Sequence, residues 1–273
     1  MKRKIKIIGA AIVGLLLLYG FLVEPHWIEV KHLHLENEHL DLGLSGKTAL
    51  HLTDLHISHI GKRERRVLEI VEETSPDYVL LTGDYVPWKG DYAPALEFLK
   101  MLGDRSKVFA VMGDYDYSNS RKSCLFCHEP GSAKPRKRHA VRFLRNTASQ
   151  VGSGENAAVV AGIDGDFDRA FAKHGSIPSE GGRPPGIILA HDPELFEGID
   201  GKQKALVLAG NTHGGQVPLP SWLWRLLGYE KNADYNSGLF RKGDKLMYVS
   251  RGIGTSHVPF RLFCRPEVVV IHF

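Results

Sequence analysis

The chain moves between two hydrophobic rhythms. "WIEVKHLHLE" alternates apolar and polar residues and predicts a strand, and "KTALHLTDLH" predicts a second one ending in polar residues. In "KRERRVLEIVEETS" the apolar positions Val67, Leu68, Ile70 and Val71 suit a helix packed on a sheet, and Pro76 stops it. "DYVLLTGDY" predicts a buried strand, "YAPALEFLKML" a helix and "KVFAVMGDY" a strand. "AAVVAGID", "GIILAHD" and "KALVLAGNTHGG" are further apolar runs that end in polar residues, and "KLMYVSRG" and "PEVVVIHF" close the chain as strands. Alternating β and α followed by β-rich sequence predicts an α/β fold, a two-sheet sandwich flanked by helices.

Ahead of these elements, Ile7 to Val23 is apolar throughout ("IIGAAIVGLLLLYGFLV"). At about 1.5 Å per residue its 17 residues span roughly 26 Å, just short of a hydrocarbon core of about 30 Å. No A-x-A-like cleavage site precedes Pro25, and there is no twin-arginine pair, so an uncleaved anchor is favoured over a signal peptide. The expected organisation is an anchor or uncleaved signal at residues 1–25 and one domain at 26–273. The basic start keeps the N-terminus cytoplasmic and puts the domain on the outer, periplasmic face of a bacterial inner membrane; the cytoplasmic face stays open if the segment lies in the membrane without crossing. Tyr19, His26 and Trp27 suit the interface.

The formal charge of +4 changes little, because Lys2, Arg3, Lys4 and Lys6 supply all of it. No whole-protein basic field argues for a nucleic-acid partner. Residues 119–146 form an insertion without apolar periodicity until its last third, and Lys134, Arg136, Lys137, Arg138, Arg142 and Arg145 crowd its end. A loop with a basic helical end is expected there, either a solvated face or a contact for phosphate or anionic headgroups. The three cysteines fit no dense disulfide framework. For Cys124 and Cys127 in "CLFCH", a disulfide, a zinc site with His128 and an incidental reduced pair all stay open. In "PSWLWRLLGY", Trp222, Leu223, Trp224, Leu226 and Leu227 around Arg225 read either as a membrane-interface segment or as an amphipathic core helix.

Candidate chemistry sits where the apolar runs stop. Asp54 and His56 form D-x-H; residues two apart on an extended segment point the same way, so both face one metal. "TGD" offers Asp84, with Gly83 permitting close backbone approach. "GDYD" offers Asp114, "LAHD" offers His191, and "AGNTHGG" offers Asn211 and His213. Carboxylate and imidazole together suit first-row divalent metals, and two such ions clamp a phosphoryl group and activate water.

The order D-x-H, GD, G-[ND]-x-D, H, G-x-x-H-G-G resembles the calcineurin-like metallophosphoesterases over about residues 47–273. With "GGQ" after the last motif and the tail "YVSRGIGTSHVPFRLFCRPEV", it looks closest to their bacterial membrane-anchored or exported branch. The resemblance implies a four-layer αββα sandwich with a dimetal site at the strands' carboxyl ends. It puts Asp54, His56 and His213 on a first metal and makes Asp84 the bridge. It puts Asp114 where the family has asparagine, His191 on the second metal, Asn211 in a histidine's place, and Tyr115 in place of the substrate-contacting histidine.

Those departures make the second site oxygen-richer, which favours Mn²⁺ or Mg²⁺ over Zn²⁺; Mn²⁺ is expected, with iron and zinc allowed and the second site weak. A tyrosine with an unperturbed pKa of about 10 is a poor general acid beside a histidine near 6.5, so good leaving groups are expected, as in pyrophosphates or activated diesters. The UDP-2,3-diacylglucosamine hydrolases of lipid A synthesis depart from histidine at the same position and cleave a pyrophosphate. The expectation is a hydrolase of phosphodiester or pyrophosphate bonds, Asp84 and Tyr115 catalytic, Arg251 and Arg261 orienting the phosphate, and a small-molecule or lipid-linked substrate. A monomer at the membrane is expected. The competing class is a catalytically impaired member that binds a phosphorylated lipid or a partner protein.

Overall fold

The structure is a computed structural model that describes residues 2–35, 43–88, 91–117, 139–152, 157–164 and 176–273. Strands β1 (Glu29–His34), β2 (Thr48–Leu52), β3 (Tyr78–Leu81), β4 (Lys107–Ala110), β5 (Arg142–Phe143) and β12 (Glu267–His272) form a six-stranded sheet in the order β1-β12-β2-β3-β4-β5. Strands β6 (Thr147–Val151), β7 (Ala158–Gly162), β8 (Ile187–Leu189), β9 (Ala205–Ala209), β10 (Gly238–Lys242) and β11 (Lys245–Val249) form the second, in the order β10-β11-β9-β8-β7-β6. Both are mostly parallel; β12–β2, β10–β11 and β6–β7 are the antiparallel pairs.

Alternation along each strand sorts side chains into layers. Leu50, Leu52, Val79 and Leu81 pack against helices α2 (Lys62–Thr74) and α3 (Ala93–Gly103), through Val67, Leu68, Ile70, Val71, Phe98 and Leu99. Their neighbours Ala49 and Leu80 turn the other way and meet Leu206, Leu208, Leu246 and Tyr248 of the second sheet. Beyond that sheet, Ala205, Val207, Met247 and Val249 pack under Leu195, Phe196 and Ile199. The α/β sandwich expected from the sequence is therefore the observed architecture.

Helix α1 (Lys2–Leu22) precedes the sandwich and is long and apolar enough to cross a membrane. The expected helical end of the basic insertion is instead the two-residue strand β5, parallel to β4. Its backbone pairs with the free edge of β4, where the Leu144 N–H donates to the Ala110 carbonyl at 2.7 Å, while Val141 and Leu144 are buried. A sheet edge needing partners outweighs helical spacing over so short a stretch. Cys124, Cys127, His128 and the basic residues Lys134, Arg136, Lys137 and Arg138 lie outside the described residues. In the helix Ser221–Leu226, Trp224 is buried while Trp222 and Leu226 are exposed, so that segment is part core and part surface.

Candidate metal centre

The ends of β2, β3, β4, β8 and β9 meet at one pole of the sandwich. The chain there is not extended, contrary to the geometry assumed for D-x-H. Asp54 (φ 50°), His56 (44°), Asp84 (56°), Asn211 (73°) and His213 (53°) are all left-handed. The segment after β2 is held against the one after β3: Asp54 N–H donates to the Gly83 carbonyl, His56 N–H to Asp84 and Ile57 N–H to Tyr85, at 2.8–3.0 Å. Asp54 and His56 share a direction because two tight turns aim them, not because of strand alternation. Such backbone costs on the order of 1–3 kcal/mol per residue and persists only where its surroundings enforce it.

Asp116 is one enforcer, and the sequence reading gave it no role. Its buried carboxylate accepts the N–H groups of Asp84 (2.8 Å), Tyr85 (2.8 Å), Val86 (3.3 Å) and Gly113 (2.9 Å). It thereby ties the turn after β4 to the turn after β3. The second aspartate of "GDYD" was the available signal. Glycine is required at the crossing: a Cβ on Gly113 would lie 2.2 Å from Asp84 Oδ1, and one on Gly83 (φ 96°) 2.4 Å from Gly113 N.

Two groups of donor atoms converge, each within 4.8 Å: Asp54, His56 and His213, and Asp54, Asp84 and His191, all buried. Asp84 Oδ2 stands 3.6 Å from His56 Nε2 and 3.4 Å from His191 Nε2, so one oxygen faces both groups. Its other oxygen accepts the Tyr115 N–H at 2.9 Å. His213 Nε2 is 3.2 Å from His56 Nε2 and 3.6 Å from Asp54 Oδ1. His56 Nδ1 lies 3.0 Å from the Val86 carbonyl and His191 Nδ1 2.8 Å from the Thr82 carbonyl. A carbonyl only accepts, so each Nδ1 carries a proton and each ring turns Nε2 inward, the orientation a metal ligand needs. His56 offers a lone pair there, whereas burial would lower His191 but Asp84 raises it well above the ordinary imidazole value, so its Nε2 gives up a proton to take an ion.

The electrostatics fit a cation. Burial lowers the pKa of His56, and burial with His56 alongside lowers that of His213, which keeps both rings neutral. Burial pushes Asp54 up to about 7, against the pull of His191 and helped by Asp84. Burial would raise Asp84 too, but His191 and His56 hold it at about 2. His191 Nε2, His213 Nδ1 and Asn211 Nδ2 are buried and find no hydrogen-bond partner among the described residues. Buried carboxylates and orphaned polar atoms are expensive in this density, and divalent ions held by this carboxylate–imidazole set would compensate them.

The remaining predicted residues divide. Asn211 adjoins the cluster, its backbone N–H donating to both Asp54 oxygens at 3.1–3.2 Å. Asp114 is half-buried in the turn Asp114–Asp116, and its charge acts on His191 and Lys231. Tyr115 stands edge-on to His56 with ring centroids 4.8 Å apart; burial, with Asp84 and the other two aspartates, raises its phenol to about 12.

Arg251 and Arg261, expected to orient the phosphate, are both engaged by partners within the protein. Arg251 pairs with Glu29 (2.8 Å) and Glu267 (2.6 Å). Arg261 is fully buried, and its guanidinium donates to the carbonyls of Gly254, Cys264, Arg251, Gly252 and His213. A chain segment with so many inward carbonyls needs a forked donor at its centre.

Two cavities flank the centre. One, of 760 Å³, is lined by His56, Trp88, His257 and the foot of α1; the other, of 600 Å³, by Tyr115, Asn211, His213, Lys231 and His257. Trp88 packs on both Tyr115 (5.2 Å) and His257 (4.7 Å). No motif or period marks Trp88 or Lys231, whereas His257 lies inside the tail "YVSRGIGTSHVPFRLFCRPEV" and was given no role of its own.

The family model for calcineurin-like phosphoesterases matches residues 47–222. The chain is 23% identical over 258 residues to the uncharacterized metallophosphoesterase YkuE of Bacillus subtilis (strain 168), covering 92% of this chain and 87% of that one. It is 28% identical over 231 residues to the phosphodiesterase YaeI of Escherichia coli (strain K12), covering 81% and 80%. It is 24% identical over 280 residues to the UDP-2,3-diacylglucosamine pyrophosphatase LpxG of Chlamydia trachomatis, covering 85% of each.

Proposed function

We propose, from the premise that this chain belongs to the calcineurin-like phosphoesterase family, that it is a metal-dependent hydrolase of phosphodiester or pyrophosphate bonds acting on a lipid-linked substrate such as UDP-2,3-diacylglucosamine. The observation that carries this reading is the pair of buried donor groups sharing Asp54, with Asp84 Oδ2 facing both. Asp54, His56, His213 and Asp84 would hold one ion; Asp84, His191, Asp114 and Asn211 a second, with Mn²⁺ favoured for its oxygen-rich set. Such ions supply Lewis acidity at the phosphoryl oxygens and an activated water.

The chain's own groups set what that chemistry acts on. Tyr115, with its phenol raised to about 12, keeps its proton at neutral pH. It donates a hydrogen bond to a phosphoryl oxygen but gives a proton to a departing alkoxide poorly. A phosphate leaving group, with a second pKa near 6, needs no such help. Two relatives support the reading, one named as a phosphodiesterase and one as a UDP-2,3-diacylglucosamine pyrophosphatase. The apolar helix α1 supports a place at the bacterial inner membrane. The basic start favours the outer face for the domain, and the cytoplasmic face, where UDP-linked lipids are made, stays open if the helix lies in the membrane without crossing it.

The test is hydrolysis of bis-p-nitrophenyl phosphate by the full chain with Mn²⁺ and with EDTA. Turnover that needs the metal and falls by on the order of 10³-fold or more in Asp84→Ala is expected, because a metal-clamped charge site is removed. Absence of turnover with any divalent ion from a folded protein would replace this reading with that of an impaired, phosphate-binding member.

A further inference from the structure

Helix α1 is built into the wall of the cavity that reaches the candidate metal centre. Leu22 and His26, at its foot, line the same 760 Å³ space as His56, Trp88 and His257. Along the rest of the helix Ile5, Ile8, Leu15 and Leu18 are exposed, and Gly20 is its buried residue. Gly20 is where the helix seats. A Cβ there would lie 2.3 Å from the Phe260 ring, the Gly20 carbonyl accepts the Arg261 N–H at 3.0 Å, and Phe21 packs on Phe260 at 4.8 Å.

One turn later the buried Glu24 carboxylate accepts the N–H groups of Phe263 (2.8 Å) and Cys264. The Cys264 thiol in turn lies 3.5 Å from the carbonyls of His213 and Gly214. The helix is thus fixed to the backbone that carries a metal-ligand candidate, with no flexible linker between them.

Held in a bilayer, an exposed apolar helix of this length puts its last residues at the membrane–water interface. Leu22 is such a residue, so the cavity mouth it lines is held at that depth. The surroundings agree: Trp27, Trp88 and Phe263 are 53%, 57% and 68% exposed, and the Arg265 guanidinium stacks 4.2 Å from the Trp27 ring. Aromatic rings with a cation are the side chains that occupy the headgroup layer.

We propose that α1 is a working part of the substrate site. It forms one wall and fixes the opening at headgroup depth, so the centre takes phosphates presented by lipids of the bilayer that holds the helix. This rests on the hydrolase reading for its catalytic half and on the cavity geometry for its placement.

The experiment uses the full chain in phosphatidylethanolamine–phosphatidylglycerol vesicles. Turnover of vesicle-borne UDP-2,3-diacylglucosamine is compared with turnover of bis-p-nitrophenyl phosphate in solution, for the native chain and for Gly20→Leu, which drives the helix off Phe260. The expected result is a loss on the order of tenfold or more with the vesicle substrate, because geometry no longer permits simultaneous engagement, and little change with the solution substrate. Phe260→Ala empties the same seat without a clash and carries the same expectation, so a misfolded Gly20→Leu leaves the test standing. Equal losses on both substrates, or none on either, would overturn the proposal.

A second arm needs no activity. A photoactivatable phospholipid with its diazirine in the headgroup should label the peptides holding Trp88 and His257, and not those holding Lys107 or Lys204 at the opposite strand ends. Labelling confined to α1, or equal at both poles, would sink the proposal. If the native chain turns over neither substrate, the hydrolase reading fails, and the labelling arm alone decides the placement.

Discussion

At the scale of single residues, the site depends as much on groups that never touch substrate as on its ligands. Asp116 collects four backbone N–H groups from two turns. Asp116→Ala strands those donors in a buried setting, and a stability loss of about 2–4 kcal/mol is expected from the urea midpoint. Tyr115 is the opposite case, a residue that touches the site but does not titrate near it. Burial and the nearby aspartates raise its phenol to about 12, so its proton is fully present from neutral pH down. Tyr115→Phe should therefore lower kcat on bis-p-nitrophenyl phosphate by roughly tenfold, the worth of one hydrogen bond to a charged oxygen, and leave the shape of the pH profile between 5 and 9 unchanged. A limb that disappears in the variant would show that the phenol titrates after all.

Among elements, the legible ones were those with strong local signals. β2, β3, β4, β7, β8, β9, β11 and β12 are apolar runs buried on both faces, and such strands read as continuous hydrophobic sequence. β6 ("TASQV") and β10 ("GLFRK") were not singled out: one is small and polar, the other mostly exposed, and each is an edge strand set by its antiparallel neighbour. The β1–β12 pair carries a feature with a consequence in solution. His34 and His272 are register partners with rings stacked 4.4 Å apart, and His32 Nδ1 lies 2.9 Å from His272 Nε2. Burial, with His34 and His32 alongside, lowers the His272 pKa. The unfolded chain then binds the proton first, so the pair's contribution to stability is present above the unfolded value of about 6.5 and is lost as pH falls through the interval below it. His34→Gln should flatten that acid dependence; urea midpoints at pH 7.5 and pH 5 for the two proteins provide the check.

For the whole molecule, the sandwich brings together residues far apart in sequence, and this is why the site was only partly readable. Each ligand candidate announced itself at the end of an apolar run, but which oxygen faces which imidazole follows from two sheets packed with their carboxyl ends at one pole. The carbonyl and carboxylate partners of Arg251 and Arg261 were illegible for the same reason, since packing sets them. Closing that pole over buried carboxylates makes the fold itself a reporter of the ions. At a free-ion concentration of 100 times Kd, one bound ion adds about 2.7 kcal/mol, and Tm should fall by roughly 5–10 °C in EDTA for a domain of this size. A melting curve indifferent to chelation would deny that ions neutralise the buried cluster. The left-handed turns carry one more consequence. Aspartate, asparagine and histidine are the side chains best tolerated there, and they are the residues found at positions 54, 56, 84, 211 and 213. The vocabulary open to these positions is therefore short. Exchanges the backbone accepts swap an imidazole for an oxygen donor or the reverse, so over generations the site drifts in the ion it prefers more readily than in its shape.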